Sequence, residues 1–333
     1  MADIDDPAVV VTHWVHPEVV QALARFCRPV APPERRVMSR DEVLAALADA
    51  SGVLVCMADH VDDGFLDAGP NLRVVSATLK GYDNIDVAAC TRRGVWLTIL
   101  PDQLTAPAAE LALCLTLGIL RRVGEGDRHV RSGAYAGWRP EFYGATLADS
   151  RVGVIGMGRL GRAYTRLLVS CGARVVYADE TPLPPADEEA LGVRRVEPSE
   201  LLAASDVVVP LVPLTPATKN MIDADAIARM RSGTALVNVC RGSVVDEHAV
   251  ADALESGHLS GYAADVFAME DWAAADHPAT IPQRLLDHPR TLFTPHLGTA
   301  VDRARLRMSL AAVRQAEAAL DGRRPEYAIN QVP

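Results

Sequence analysis

Lysine is nearly missing from this chain: its 333 residues hold only Lys80 and Lys219, against 31 arginines. Cations as a class are outnumbered, 33 to 43, and the net charge of -10 excludes a basic stripe able to follow a nucleic-acid backbone. An anionic small molecule would therefore need its cations concentrated locally. The six cysteines (Cys27, Cys56, Cys90, Cys114, Cys171, Cys240) show no C-x-x-C spacing, which argues against a zinc site and a disulfide framework. The longest apolar run, Leu111 to Leu120, is too short to span a bilayer, and Asp3, Asp5 and Asp6 stand where a secretory leader carries basic residues. A cytoplasmic location is expected. No internal repeat or low-complexity tract is present, and the length suits roughly two domains with full cores.

What is present is a regular alternation of strand and helix patterns, the mark of parallel sheets covered on both faces. Val9 to Thr12, Gly52 to Cys56, Arg73 to Ala77 and Val95 to Thr98 read as strands of a first α/β unit. Ser39 and Glu42 form a capping box for a helix ending near Ala50. An apolar helix from Thr105 to Arg122 and a polar, glycine-bearing stretch up to Ser150 lead to a second unit. Its strands are Arg151 to Ile155, Ala173 to Ala178, Asp206 to Leu211, Thr234 to Val237, Gly261 to Ala264 and Thr291 to Phe293. The last long helix, about Ala300 to Leu320, has no sheet of its own and is expected to return to the first unit. This predicts two Rossmann-like, doubly wound parallel-sheet domains: residues 1–101 plus 296–333 for substrate and catalysis, and 102–295 for a dinucleotide. Pro101-Asp102 and Pro295-His296 would form a double hinge.

Gly156, Gly158 and Gly161 lie in a G-x-G-x-x-G turn that follows one strand and opens the helix from Arg159 to Ser170. Such glycines permit a tight turn and close approach of a pyrophosphate, while Asp179, at the end of the next strand, suits a ribose hydroxyl. Asp179 and Glu180 together oppose a 2'-phosphate, and no arginine adjoins them in sequence, so NAD rather than NADP is the expected cofactor. Downstream come Arg241, Glu270 and His296. An imidazole can exchange a proton near neutrality, a carboxylate on its other nitrogen fixes its tautomer, and a guanidinium fork binds an oxyanion.

Four segments, Val152 to Gly161, Val237 to Asp246, Ala264 to Glu270 and Thr294 to Gly298, resemble the D-isomer-specific 2-hydroxyacid dehydrogenase family over essentially the full chain. The resemblance implies that Arg159, Leu160, Pro213, Val239, Cys240, Asp265 and Gly298 contact the cofactor along with the glycine turn. It also implies a homodimer formed through the Thr105 to Ser150 region. Lys80, beside Gly81 in the loop after the strand ending at Ala77, would add a second cation, which suits a dianion. Asp271 and Trp272 follow Glu270 where most relatives have proline. With Gly137 to Gly144 and Arg241 to Glu247, these features resemble the branch that oxidises phosphite to phosphate, and Met57, Trp138, Tyr143, Thr299 and Arg305 would then line the pocket. Thr299 and Ala108 depart from that branch, where serine and threonine are usual. Phosphite oxidation, with hydride passing from phosphorus to nicotinamide as water attacks, is the expectation. Either His296 or Arg241 could serve the water. A D-2-hydroxyacid dehydrogenase or glyoxylate and hydroxypyruvate reductase, and an NAD-sensing regulatory protein, are the alternatives.

Overall fold

The structure is a computed structural model that describes residues 7–332; the N-terminal acids Asp3, Asp5 and Asp6 lie outside them. The chain divides into two compact units, one of residues 1–104, 272–275 and 299–333, the other of residues 105–271 and 276–298. Each is an α/β unit around its own parallel sheet, as the alternation predicts.

The first unit has five strands, β1 (Ala8–Val11), β2 (Arg28–Val30), β3 (Ala50–Val55), β4 (Val74–Ala77) and β5 (Trp96–Thr98), in the order β2-β1-β3-β4-β5. The order reverses between β1 and β3, so a crevice opens there at the carboxyl ends of the strands. Val9, Val11 and Leu54 pack in one cluster with Ala312, Val313 and Ala316 of the helix Asp302–Leu320, which covers this sheet. Ser39 and Glu42 do form the capping box, but the helix stops at Leu47 and Ala50 already begins β3. Two apolar runs meet there with only Ala48 and Asp49 between them, which hides the boundary in the sequence.

The second unit has seven strands, β6 (Arg151–Ile155), β7 (Arg174–Ala178), β8 (Arg194–Arg195), β9 (Val207–Pro210), β10 (Thr234–Asn238), β11 (Leu259–Ala264) and β12 (Thr291–Phe293). Their order is β12-β11-β10-β9-β6-β7-β8, with the reversal between β6 and β9. The central strands are buried on both faces, hence their near-continuous apolar sequence. The apolar helix ends at Leu120; Arg122 takes a left-handed φ of 55°, and a second helix, Val123–Arg131, occupies part of the polar, glycine-bearing stretch. Edge strands β2 and β8, read as Arg-Pro-Val and Arg-Arg, carry no apolar alternation and are invisible to pattern reading.

The chain passes between the units at Leu104-Thr105 and Gly298-Thr299, each three residues beyond the expected boundary, and residues 272–275, inside the expected 102–295 segment, belong to the first unit. His296 consequently belongs to the second unit. Its backbone N–H donates to the carbonyl of Asp265 at 2.9 Å, and the next two N–H groups donate to the Asp265 carboxylate, which binds this segment to the end of β11. Among the described residues no helix is long and apolar enough to cross a membrane.

Candidate active site

The glycine turn at the end of β6 uses its three glycines in three ways. Gly156 has φ +97°, and a Cβ there would lie 2.6 Å from the Leu211 carbonyl oxygen. A Cβ on Gly161 would lie 2.3 Å from the Gly156 carbonyl oxygen, so this glycine lets helix and turn pack closely. A Cβ on Gly158 would meet nothing within 4 Å. Gly158 caps the helix Arg159–Ser170, and the open space at its Cα is the room a pyrophosphate needs at a helix N-terminus. The cradle therefore fits a dinucleotide on its own geometry.

Asp179 follows β7 directly and receives two backbone N–H groups, Met157 at 2.6 Å and Thr181 at 2.8 Å. The first bond fastens the glycine turn to the neighbouring strand. An arginine does stand next to this acid, contrary to the sequence expectation. Arg195, brought alongside by the pairing of β8 with β7, donates Nε and one terminal nitrogen to the Asp179 carbonyl at 3.1 and 2.9 Å. Glu180 is exposed.

At the other half of the sheet the acid–base group is assembled from three loops. His296 Nδ1 lies 2.6 Å from Glu270 Oε2, with both side chains about a quarter to a third exposed (31% and 26%). Glu270 is held in turn, since its Oε1 accepts the Phe267 N–H at 2.9 Å. His296 has φ +56°, a left-handed conformation uncommon for a residue with a side chain. Asp265 is buried beneath it and accepts from the Thr294 hydroxyl at 2.5 Å, Leu297 N at 2.6 Å and Gly298 N at 2.9 Å. Burial raises its pKa while these donors oppose the rise.

Arg241 follows β10 in an extended conformation and is half-buried; one of its terminal nitrogens donates to the Cys240 carbonyl at 2.9 Å. What joins its loop to that of Glu270 is Gly242. A Cβ there would fall 1.8 Å from the Phe267 carbonyl carbon, so the two backbones touch and no larger residue fits. Asp271, buried, accepts Ser243 N at 2.8 Å, and buried Glu247 accepts Ala268 N at 2.9 Å, adding two more ties between the loops. Sequence reasoning gave neither acid a role; the replacement of proline by Asp271 after Glu270 was the available signal.

The other expected residues divide between the two units. Val239, Cys240 and Pro213 lie in loops past β10 and β9 in the second unit. Lys80, Gly81, Met57, Thr299 and Arg305 all belong to the first unit. Trp138 and Tyr143 are expected in the pocket, but their side chains are 76% and 71% exposed. Tyr143 borders a cavity of about 550 Å³ with Ser150, Asp206, Gly233 and Arg290, residues that immediately precede their strands. That is the amino end of the sheet, opposite to Arg241 and His296, so within one chain Tyr143 does not join the site.

The model of the D-isomer specific 2-hydroxyacid dehydrogenase NAD-binding domain matches residues 113–298. Over 330 residues the chain is 32% identical to glyoxylate reductase of Thermococcus kodakarensis, covering 98% of this chain and 96% of that protein. The chain belongs to the D-isomer specific 2-hydroxyacid dehydrogenase family. It carries the family's NAD-binding domain. A solved protein of Thermus thermophilus superposes with a TM-score of 0.88 at 32% identity, over 97% of this chain and all of that one. The NADPH-dependent glyoxylate/hydroxypyruvate reductase of Sinorhizobium meliloti, solved with NADP and malonate, gives 0.82 at 28% identity, over 99% and 98%.

These similarities overturn phosphite oxidation and phosphite as the substrate: the 2-hydroxyacid dehydrogenase relatives that match over nearly the whole chain include glyoxylate and glyoxylate/hydroxypyruvate reductases. The expectation rested on a rare lysine and a few flanking residues. A cation near an oxyanion serves a carboxylate as well as phosphite.

Proposed function

We propose that this chain reduces small 2-oxo acids of the glyoxylate and hydroxypyruvate type to the corresponding 2-hydroxy acids with NADH, in the D configuration where C2 is a stereocentre, and runs the reverse oxidation with NAD. The observation that carries the reading is the 2.6 Å pairing of His296 with Glu270 in loops clasped through Gly242 to that of Arg241. When bound, the reduced nicotinamide supplies the hydride. Arg241 binds the substrate carboxylate with its guanidinium fork. Because Glu270 occupies Nδ1, His296 presents Nε2, from which a proton passes to the carbonyl oxygen as it becomes an alkoxide. Glu270 stabilises the imidazolium that donates this proton, and in the oxidative direction Nε2 takes the proton back. Lys80, three residues beyond β4, is assigned to substrate recognition in the first unit.

The cofactor preference is for NAD, because Asp179 and Glu180 oppose a 2'-phosphate, while Arg195 beside them leaves a measurable NADP activity. The exposed Val123, Val130, Tyr135, Trp138 and Tyr143 suit the interface of a homodimer. Sedimentation that gives a monomer would reject the dimer. Activity is tested by following NADH consumption with glyoxylate, hydroxypyruvate and pyruvate. Rapid reduction of at least one supports the reading, and no consumption with any of them ends it.

A further inference from the structure

Two successive backbone N–H groups open the short turn Ala268–Glu270, and each goes to a different acid. Phe267 N donates to Glu270 Oε1 at 2.9 Å, and Ala268 N donates to Glu247 Oε1 at 2.9 Å. The turn rests on an apolar floor, the Phe267 ring meeting Phe293 edge-on at 5.2 Å and Phe293 meeting Tyr262 at 5.9 Å. Glu247 itself lies outside this turn. It is the first residue of the helix Glu247–Glu255, and it is 5% exposed. All of these residues belong to the second unit.

An acid in the first turn of a helix is stabilised by the dipole whether or not it reaches anything else. Glu247 does reach further, across to a second loop and into the company of two more acids. Burial pushes its carboxyl above the ordinary pKa, the Ala268 N–H opposes the rise, and the charges of Asp271 and Glu270 add to it. The position is a poor one for a charge, and what the side chain contributes there is an acceptor oxygen. Without that oxygen the Ala268 N–H would stand as an orphan at the start of the turn, one residue from the N–H that Glu270 already holds. Glu270 would then have two donors of its own turn to satisfy. The oxygen left for the second is Oε2, the one that now faces His296 Nδ1 at 2.6 Å.

We propose that Glu247 is a positioning residue for the acid–base pair: by taking up the Ala268 amide it withholds that donor from Glu270, so that Glu270 Oε2 stays committed to His296. This rests on the part given to Glu270 and His296 in the 2-oxo acid reduction proposed above and deepens it. A glutamine in the same place offers an oxygen acceptor of the same reach without the charge, whereas a leucine fills the volume and offers none. The acceptor, not the charge, is the property that matters.

The test compares steady-state kinetics of glyoxylate reduction with NADH. Glu247→Leu should lower kcat about 10- to 100-fold with KM within about threefold of the wild type, and Glu247→Gln should stay within about threefold in both. In a Glu270→Ala background, Glu247→Leu should cost less than about twofold, because no carboxylate is left to be diverted. Wild-type kcat in Glu247→Leu overturns the inference, as does a Glu247→Gln protein equally slow, or a loss that persists undiminished without Glu270. Should Glu247→Leu not fold, Glu247→Asp replaces it. That change keeps the acid at the helix start and withdraws the oxygen by one methylene, and wild-type kcat there overturns the inference equally. If the wild type reduces no 2-oxo acid, the reductase reading falls and proton NMR decides on the pair alone. The downfield imidazole N–H signal that His296→Ala removes should persist in Glu247→Gln and vanish or broaden in Glu247→Leu; an unchanged signal in Glu247→Leu rejects the positioning role.

Discussion

The carboxyl ends of the two sheets are built on opposite plans. In the second unit the acids around the reacting centre are engaged: Glu270 with His296 and Phe267 N, Asp265 with three donors, Asp271 and Glu247 each with a backbone N–H. In the first unit the frame around Asp59 is equally well bonded, its Oδ2 accepting the Thr12 hydroxyl at 2.6 Å and Cys56 N at 2.7 Å, but it encloses bare polar atoms. The contrast is one of completeness. The acids of the second unit are held in one geometry by the protein's own donors, whereas His13 Nε2 and Asn84 Oδ1 are left without a partner among the described residues inside the frame that encloses them.

The largest effect should come from the saturated side. His296→Ala should lower kcat by about 10³-fold or more with glyoxylate, while fluorescence titration still shows NADH binding near the wild-type affinity. Retained turnover would break the comparison at its centre. Next, Gly242→Ala puts a methyl group into the Phe267 backbone and should destabilise the second unit by about 3 kcal/mol or more, read by denaturant unfolding, with activity lost in parallel. A neutral result would mean that the two loops are not clasped.

The first unit has its own signature, which appears with pH. In the folded state His13 titrates near pH 3, against 6.5 for an ordinary histidine, so between those values the unfolded chain binds the extra proton. Stability is therefore lost as pH falls from about 6.5 toward 3, by roughly 1.4 kcal/mol per pH unit for this group. The difference in unfolding free energy between wild type and His13→Leu should change with that slope. A difference that is flat between pH 6 and 4 would show that the ring is not buried neutral. Smallest is Gly158→Ala: nothing in the protein obstructs the added methyl group, so the melting temperature should move by about 2 °C or less, while NAD binding weakens about tenfold by calorimetry.

Much of the second unit was legible because its functional residues come with local patterns. A glycine turn after a strand, an acid at the next strand's end, and a histidine after Thr294-Pro295 each occupy a few consecutive residues. The clasp was not legible, since Asp271 reaching Ser243 and Glu247 reaching Ala268 depend on which loops touch in three dimensions. Arg195 escapes a reading of the sequence for the same reason, because edge strand β8 has no apolar period to reveal that it pairs with β7. In the first unit His13 belongs to no motif at all. Lys80 carries the opposite hazard: its rarity in the composition suggests a dianionic substrate, although scarcity says nothing about geometry. The placement of His296 shows a further limit, for Pro295 marks a sensible boundary while the bonds to Asp265 decide otherwise.

The bond between Asp179 and Met157 N bears on any attempt to re-engineer the cofactor preference. The carboxylate that repels a 2'-phosphate is also the latch of the glycine turn, so removing it to admit NADP unfastens the loop that must receive the pyrophosphate. A designer gains tolerance for the phosphate and loses preorganisation in one step. Replacements that keep a short acceptor at this position, serine or asparagine, separate the two tasks, and with Arg195 already at the strand's end they are the better starting point than alanine.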